Sequence, residues 1–436
     1  MSNLATNALA FVIVLGFLVF AHESGHFFFA KLFRVRVLVF SFGFGKRLFG
    51  FRKGDTDYRV SLIPLGGYVR MAGDIPEEAR SGDPDEFLSR PKWQRFLILF
   101  AGPLMNLLIA IGFLTGLNMV GNEILRESRP VLGLVVPGKP AARAGLKEGD
   151  LIVQANNEKI VTWEDLKLAI SMNPNARLNI DFIRNGRPAQ TVLIPEKQEN
   201  EYGISGFAGI QKFVSSEIGR VAAGGPAQRA GMEPGDHIVA VNGKPIAQLN
   251  EFDEQLEKAK APLKVTLRRD VRTFDTVFPL QRENGELDRG FIPPTVIRKL
   301  DFPDALRESI DQNWKMARYA AVVLSRLFRL QGSVKEFQGP ISIARISGEM
   351  LRTGWKAMIY LMASISLQLG IMNLLPVPVL DGGHIAILVV EGAARRDLSL
   401  RVKERIQQLG FAALAMLMIV VLFNDVIQNV LLWKKG

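Results

Sequence analysis

The residues best suited to chemistry are His22, Glu23 and His26, which form the pattern H-E-x-x-H. On a helix, positions i and i+4 lie on one face, so both imidazoles can reach one zinc ion, while the glutamate can deprotonate a water molecule. The chain has only four histidines and no cysteine. The lack of cysteine excludes a disulfide framework, a cysteine-ligated zinc and a cysteine nucleophile. Any histidine-based metal site must therefore draw on His22, His26, His237 and His384.

The surroundings of this pattern are apolar. The stretch from Leu4 to Ala30 contains no lysine or arginine, and its only ionisable side chains are those of the H-E-x-x-H pattern. It lacks a basic leader and exceeds the roughly 7–15 apolar residues of a secretory signal. A transmembrane helix, which needs about 20 apolar residues, is favoured. Ionisable residues inside a membrane span are costly and by default functional, which favours a metal site over a chance match.

A catalytic zinc site needs a third protein ligand and an open position for water. The candidates in the other apolar segments are Asp381, His384 and Asp425. Asp381 lies among prolines and glycines that interrupt a helix, and irregular backbone at membrane depth is tolerated only when it is buried in protein or lines a cavity. Counting 1.5 Å per residue, His22 lies roughly 27 Å along the first span and Asp381 at most about 36 Å along the third. Depth thus supports Asp381. For His384, three residues away, a structural role is favoured over the alternative that its side chain supports a metal ligand, and Asp425 is interpreted as an interfacial anchor.

Three further apolar stretches bring the expected number of membrane spans to four: residues 96–120, 357–380 and 409–433. Thirteen lysines and arginines lie between residues 31 and 95, and five between residues 395 and 405. The positive-inside rule predicts that both connections face the cytoplasm. Both termini and the long segment between the second and third spans then lie outside. This bias accounts for part of the net charge of +11 without a nucleic-acid partner.

The long segment between the second and third spans contains an internal repeat. Residues 140–160 and 226–246 are identical at eleven of 21 positions, with an offset of 86 residues. That period is too long for a solenoid unit, so it indicates two copies of one small domain. The shared pattern P-A-x-x-A-G-[LM]-x-x-G-D-x-I resembles PDZ domains of bacterial proteases. Such domains bind extended peptides by adding a strand to a sheet edge.

H-E-x-x-H in a first span, together with N-x-x-P-x-P-x-L-D-G at Asn373–Gly382, resembles the site-2 protease family of intramembrane zinc metalloproteases. The likeness runs nearly end to end and includes the segments Gly66–Met71, Ala101–Asn106 and Gly339–Ile341.

The resemblance implies a role for each candidate site residue. It implies that His22, His26 and Asp381 hold zinc, that Glu23 is the general base, and that Asn373 contacts the substrate backbone. It also implies a membrane-associated β-hairpin around residues 58–71 that pairs with a substrate strand.

The predicted fold is a polytopic α-helical membrane protein with four transmembrane helices, a membrane-associated β-hairpin and two inserted α+β PDZ domains. The predicted regions are 1–121 with the first two spans and the hairpin, 122–205 and 206–290 as the PDZ domains, 291–355 as amphipathic helices on the outer membrane face, and 356–436 with the last two spans.

The predicted function is that of a zinc endopeptidase of the bacterial inner membrane, with its active site toward the cytoplasmic side. Its expected substrates are single-span membrane proteins already trimmed outside; the resemblance implies an anti-sigma factor in an envelope stress response, and remnant signal peptides. We expect the PDZ pair to act as a periplasmic size filter rather than as a peptide-recognition module. One alternative is a membrane-tethered PDZ receptor without catalysis, which the complete ligand set disfavours. A transporter with a metal site is disfavoured because the halves show no inverted repeat.

Overall fold

The computed structural model describes residues 3–74, 82–126, 129–200, 203–283, 286–329, 332 and 338–433. The chain forms two compact units. One consists of Met1–Val120 and Lys299–Gly436, and the other, Gly121–Arg298, is inserted between these two parts.

The first part of the chain forms two long apolar helices separated by a β-hairpin. Helix α1 spans Asn3–Leu32 and helix α2 spans Lys92–Val120, and both are long and apolar enough to cross a membrane. Between them, β1 (Val37–Lys53) and β2 (Thr56–Met71) pair antiparallel. Gly54 in the two-residue loop has a φ of +60°, which a glycine adopts without strain.

The hairpin is longer than the stretch around residues 58–71 that the sequence indicated, because β1 supplies a full partner strand. Its distal half exposes large apolar side chains, among them Phe49, Phe51 and Leu62. The basic residues Arg52 and Lys53 are exposed next to them. Apolar side chains mixed with basic ones are typical of a segment that lies in a membrane interface.

The inserted unit contains two copies of one four-stranded sheet. Its elements in chain order are β3 (Asn122–Leu125), β4 (Leu132–Val135), α3 (Pro140–Arg143), β5 (Leu151–Ala155), β6 (Glu158–Lys159), α4 (Trp163–Ser171), β7 (Leu178–Arg184), β8 (Arg187–Leu193), β9 (Glu196–Asn200), β10 (Gly203–Phe207), β11 (Ile210–Lys212), β12 (Arg220–Val221), α5 (Pro226–Arg229), β13 (His237–Val241), β14 (Lys244–Pro245), α6 (Leu249–Lys258), β15 (Leu263–Arg269), β16 (Arg272–Phe278), β17 (Arg282–Glu283), β18 (Glu286–Leu287), β19 (Phe291–Ile292) and β20 (Thr295–Arg298). The strand orders β6-β5-β7-β8 and β14-β13-β15-β16 correspond element by element. The sequence repeat is therefore a repeat of structure, and β3 pairs with β20 to close the unit.

The aspartate of the repeated Gly-Asp motif has a structural role in both copies. Asp150 is fully buried and accepts hydrogen bonds from Arg184 Nε and Nη2, both at 2.7 Å. The equivalent Asp236 accepts from Arg269 Nε at 2.7 Å and Nη2 at 2.9 Å. A buried carboxylate needs such a partner, and the planar guanidinium supplies two parallel donors. The motif thus holds each sheet to the turn that precedes it.

After the inserted unit the described residues form five helices: α7 (Phe302–Phe328), α8 (Pro340–Thr353), α9 (Trp355–Asn373), α10 (Asp381–Ala393) and α11 (Leu400–Trp433). By length and composition α9 and α11 could cross a membrane, which makes four such helices among the described residues. Helix α7 packs against α2, where the Ser309 and Thr115 hydroxyl oxygens lie 2.7 Å apart. Residues 291–298, which the sequence grouped with the amphipathic helices, form β19 and β20 instead.

The third span ends earlier than the apolar pattern indicated. Helix α9 stops at Asn373, and residues 374–380 form a non-helical segment before α10 begins at Asp381. Pro376 and Pro378 lie in this segment, and proline neither donates a backbone hydrogen bond nor favours a helical residue before it. Val379 has a φ of +96°, a strained conformation for a β-branched residue.

Close helix packing brings α1, α2 and α9 together. A Cβ atom on Gly25 of α1 would lie 2.3 Å from the carbonyl oxygen of Ala101 in α2, so only glycine allows this approach. In the same way a Cβ atom on Gly370 of α9 would lie 3.1 Å from the carbonyl oxygen of Pro103. Helix α2 is therefore the common neighbour of the other two helices.

Candidate metal centre

Helix α1 presents two histidines on one face, one turn apart. His22 and His26 are 8% and 7% exposed, and their Nε2 atoms lie 3.2 Å apart. Asp381, the first residue of α10, completes a cluster of three side chains. Its Oδ2 atom lies 3.1 Å from His22 Nε2 and 3.4 Å from His26 Nε2.

The spacing of these three atoms fits a zinc ion. Zinc binds imidazole nitrogen and carboxylate oxygen at about 2.0–2.2 Å in tetrahedral directions, which places neighbouring ligand atoms roughly 3.3 Å apart. The three observed distances of 3.1, 3.2 and 3.4 Å match that edge length. Two neutral imidazoles and one carboxylate are also a donor set that catalytic zinc sites use.

Glu23 lies beside this cluster and faces the hairpin. Its carboxylate lies near the backbone of Val69 in β2 and is close enough to interact electrostatically with both histidines and Asp381. A Cβ atom on Gly67 would lie 3.2 Å from Glu23 Cγ, so the strand passes directly over the glutamate. The side chain is only partly buried. A carboxylate so placed can exchange a proton with a group bound at the cluster.

Asn373 and Asp381 stand at the two ends of the non-helical segment 374–380. The Asn373 Nδ2 atom lies 3.5 Å from His22 Nε2, so the amide reaches the edge of the cluster. Gly382 and Gly383 allow α10 to begin against this segment, because Cβ atoms there would lie 2.3 Å from the carbonyl oxygens of Leu374 and Val377. The broken span thus brings an amide and a carboxylate to the same pair of histidines.

The other candidates from the sequence lie elsewhere. His384 is outside the group of three potential ligands. Asp425, in the last span, accepts hydrogen bonds from the backbone N–H groups of Ile341 at 2.8 Å and Ser342 at 3.1 Å. It therefore caps the N-terminus of α8, where a carboxylate is favourable. His237 lies in the inserted unit, 4.0 Å from Glu217.

Sequence reasoning assigned no role to three features of α2 that surround the histidines. The carbonyl oxygen of Ile98 lies 2.8 Å from His26 Nδ1, and the Nδ2 atom of Asn106 lies 3.3 Å from His22 Nδ1. A Cβ atom on Gly102 would lie 2.3 Å from His26 Nε2. The segment Ala101–Asn106 was part of the family likeness, but its residue spacing alone indicates no function. Its role becomes visible only from the positions of the His22 and His26 imidazole rings in the folded protein.

Comparison with known proteins supplies independent findings. The family model of peptidase family M50 matches residues 10–417. A Neisseria meningitidis protein whose name describes a zinc metalloprotease is 33% identical, over 96% of this chain and 98% of that protein. The regulator of sigma E protease of Haemophilus influenzae is 30% identical over 95% of this chain and 97% of that protein. Protease RseP of Yersinia pestis is 30% identical, over 98% of this chain and 99% of that protein.

Proposed function

We propose that this chain, which belongs to peptidase family M50 and is a metalloendopeptidase, cleaves transmembrane segments of single-span membrane proteins with a zinc ion held by His22, His26 and Asp381. The observation that carries the proposal is the convergence of three ligand atoms, at tetrahedral spacing, beside a glutamate on an apolar helix. Three protein ligands leave the fourth position free, as hydrolysis requires.

Each residue of the site has a defined task. Zinc in such a site polarises the scissile carbonyl and makes a water molecule nucleophilic near neutral pH. Glu23 takes the proton from the attacking water and delivers it to the nitrogen of the departing amine. Its place between the cluster and the strand at Gly67 supports this role, because the carboxylate is near both histidines and Asp381.

The substrate must be unwound before it is cut, because a helix buries its peptide bonds in hydrogen bonds and side-chain packing. We infer that the substrate segment pairs as a strand with the hairpin formed by β1 and β2, in the manner of peptides that extend a sheet edge. Asn373, with both a donor and an acceptor, then binds the extended substrate backbone near His22. The passage of Gly67 over Glu23 supports this arrangement.

The class of substrate is inferred from the relatives. Proteins named regulator of sigma E protease and protease RseP are 30% identical to the chain over nearly its full length. We therefore propose a role in regulated intramembrane proteolysis, with an anti-sigma factor of an envelope stress response as the main substrate. Remnant signal peptides are a second class, since they are also short single spans.

We propose that the protein resides in the bacterial inner membrane with the inserted unit and both termini in the periplasm. Single cysteines test this orientation directly, because the chain has none of its own. A cysteine at exposed Val271 should react with an impermeant reagent added outside intact cells. Cysteines at Asp83 and Arg396, both exposed, should react only after the cytoplasm is opened. The reverse pattern would overturn the orientation.

We further propose that the two copies in the inserted unit are PDZ domains that exclude substrates with bulky periplasmic domains. Their matching strand orders and the P-A-x-x-A-G motif support the domain type. Strands β3 and β20 are the first and last strands of the inserted unit and pair with each other, so the residues between them can be deleted while this pair is kept. The backbone N–H of Arg126 donates to the carbonyl of Pro294 at 3.0 Å, so an Asn-Gly turn can replace residues 127–293.

One reconstitution assay tests both catalysis and filtering. In proteoliposomes the full chain should cleave a tagged single-span peptide that lacks an outer domain, but not the same peptide carrying a folded outer domain. A zinc chelator should abolish cleavage, and added zinc should restore it. The variant with residues 127–293 replaced should keep zinc and cut both peptides.

The outcomes separate the two claims. No zinc-dependent cutting of the trimmed peptide by the full chain would refute the proposed function. If the shortened variant binds zinc but no longer cuts the trimmed peptide, the inserted unit recognises substrates instead of filtering them. Unchanged discrimination would exclude both roles for the unit.

A further inference from the structure

The second nitrogens of both imidazoles point to helix α2. His26 Nδ1 lies 2.8 Å from the carbonyl oxygen of Ile98, and His22 Nδ1 lies 3.3 Å from the amide of Asn106. Asn106 is fully buried. The two ring nitrogens that converge with Asp381 are both Nε2. Each ring therefore has one nitrogen for the cluster and one for α2.

A neutral imidazole that binds a metal through Nε2 carries its proton on Nδ1, and that N–H requires an acceptor. The Ile98 carbonyl is such an acceptor for His26. For His22 the atom at hydrogen-bonding distance from Nδ1 is Asn106 Nδ2, which is a donor, so this pairing does not suit a zinc-binding ring.

The Asn106 amide itself resolves the conflict. Its Oδ1 atom is buried and has no hydrogen-bond partner among the described residues. The oxygen and nitrogen of an amide are assigned from the surrounding network, and a half-turn of the amide group exchanges them. After that exchange the oxygen lies where Nδ2 lay and accepts from His22 Nδ1–H, while the NH2 group takes the former place of Oδ1. Given the proposed zinc site, we infer that Asn106 is a positioning residue that accepts the Nδ1–H of His22 and aims its Nε2 at the metal.

The local sequence of α2 is suited to this role. Gly102 leaves room for both rings, since a Cβ atom there would lie 2.3 Å from His26 Nε2 and 2.8 Å from His22 Cε1. Pro103 has no N–H, so the helical hydrogen bond that is missing is the one to the carbonyl of Leu99, the residue after Ile98. Ser366 of α9 donates to the Asn106 carbonyl at 2.8 Å and holds this turn of the helix. One short segment thus orients both histidines.

The inference is tested by zinc affinity, measured by competition with a chelator on the purified full chain without substrate. Asn106→Leu keeps the branching at Cγ but has no acceptor, and it should bind zinc roughly 10–100-fold more weakly, as for other partners of metal-binding histidines. Asn106→Asp keeps the acceptor and should bind zinc at least as tightly as the native chain. Thr115→Val is the matched control, because it removes another buried hydrogen bond of α2 away from the histidines and should leave zinc affinity unchanged.

Several results would overturn the inference. Native affinity in Asn106→Leu would show that His22 needs no acceptor at this position. Equal loss in Asn106→Asp and Asn106→Leu would assign Asn106 to packing, because a structural role does not predict rescue by the aspartate. If Asn106→Leu does not fold, Asn106→Ala carries the same expectation without added bulk. Absence of zinc binding in the native chain would refute the proposed function as well. If the native chain binds zinc and Asn106→Leu binds it with the same affinity, only this inference is refuted.

Discussion

Glu23→Gln is expected to abolish peptide cleavage while the protein keeps its zinc. Glutamine has nearly the same shape, so the three ligand atoms stay within 3.1–3.4 Å of one another. What is lost is the group that accepts the proton of the attacking water, and general-base catalysis contributes roughly 10²–10⁴-fold to rates. The measurement is cleavage of the trimmed single-span peptide, with zinc content determined on the same preparation.

Ser24→Ala is the matched control for Glu23→Gln. Ser24 is the next residue in the chain, and its hydroxyl donates to the carbonyl of Phe20 at 2.6 Å within the same helix. This variant should retain both zinc and activity. Substantial cleavage by Glu23→Gln would show that Glu23 is not the general base. Loss of zinc in that variant would show that Glu23 is needed for metal binding, and the loss of activity would then not identify the base.

Asp381→Ala is expected to lose both zinc and activity. The carboxylate is one of the three potential ligands that converge among the described residues. Four-ligand zinc sites in peptides bind with roughly 10–16 kcal/mol, or about 3 kcal/mol per ligand, so affinity should fall by about 100-fold or more. The measurement is chelator competition on the purified protein, which reports on the metal independently of catalysis.

His384→Ala provides the contrast, because His384 lies in the same helix, three residues further along, but outside the group of potential ligands. It should bind zinc with native affinity. If this variant loses the metal and Asp381→Ala retains it, the third ligand is His384 and the assignment of Asp381 is wrong. Loss of zinc in both Asp381→Ala and His384→Ala would indicate that zinc binding needs both side chains at the start of α10.

Features that depend on residues close together along the chain were the easiest to predict from the sequence. Four candidate spans follow from long apolar runs, and the two sheets of the inserted unit follow from an 86-residue repeat. The break in the third span was also predictable, because the prolines before Asp381 indicate an interrupted helix. An apolar pattern continues to Leu380, but the helix stops at Asn373, because two prolines outweigh the hydrophobicity of the segment.

The sequence by itself determined that His22 and His26 share a face, because four residues of α-helix return the chain to the same side whatever surrounds it. Depth along the spans supported Asp381. The sequence could not show that Asp381 contacts the histidines, because residues more than 350 positions away meet them only through helix packing. The tertiary structure brings Asp381 to the rings and turns Asp425 to the N-terminus of α8. It also placed Asn106 beside His22, a contact between two helices that depends on the close approach allowed by glycine. Local chemistry follows from the helical repeat, whereas the third ligand and the partners of the rings depend on which helices pack together.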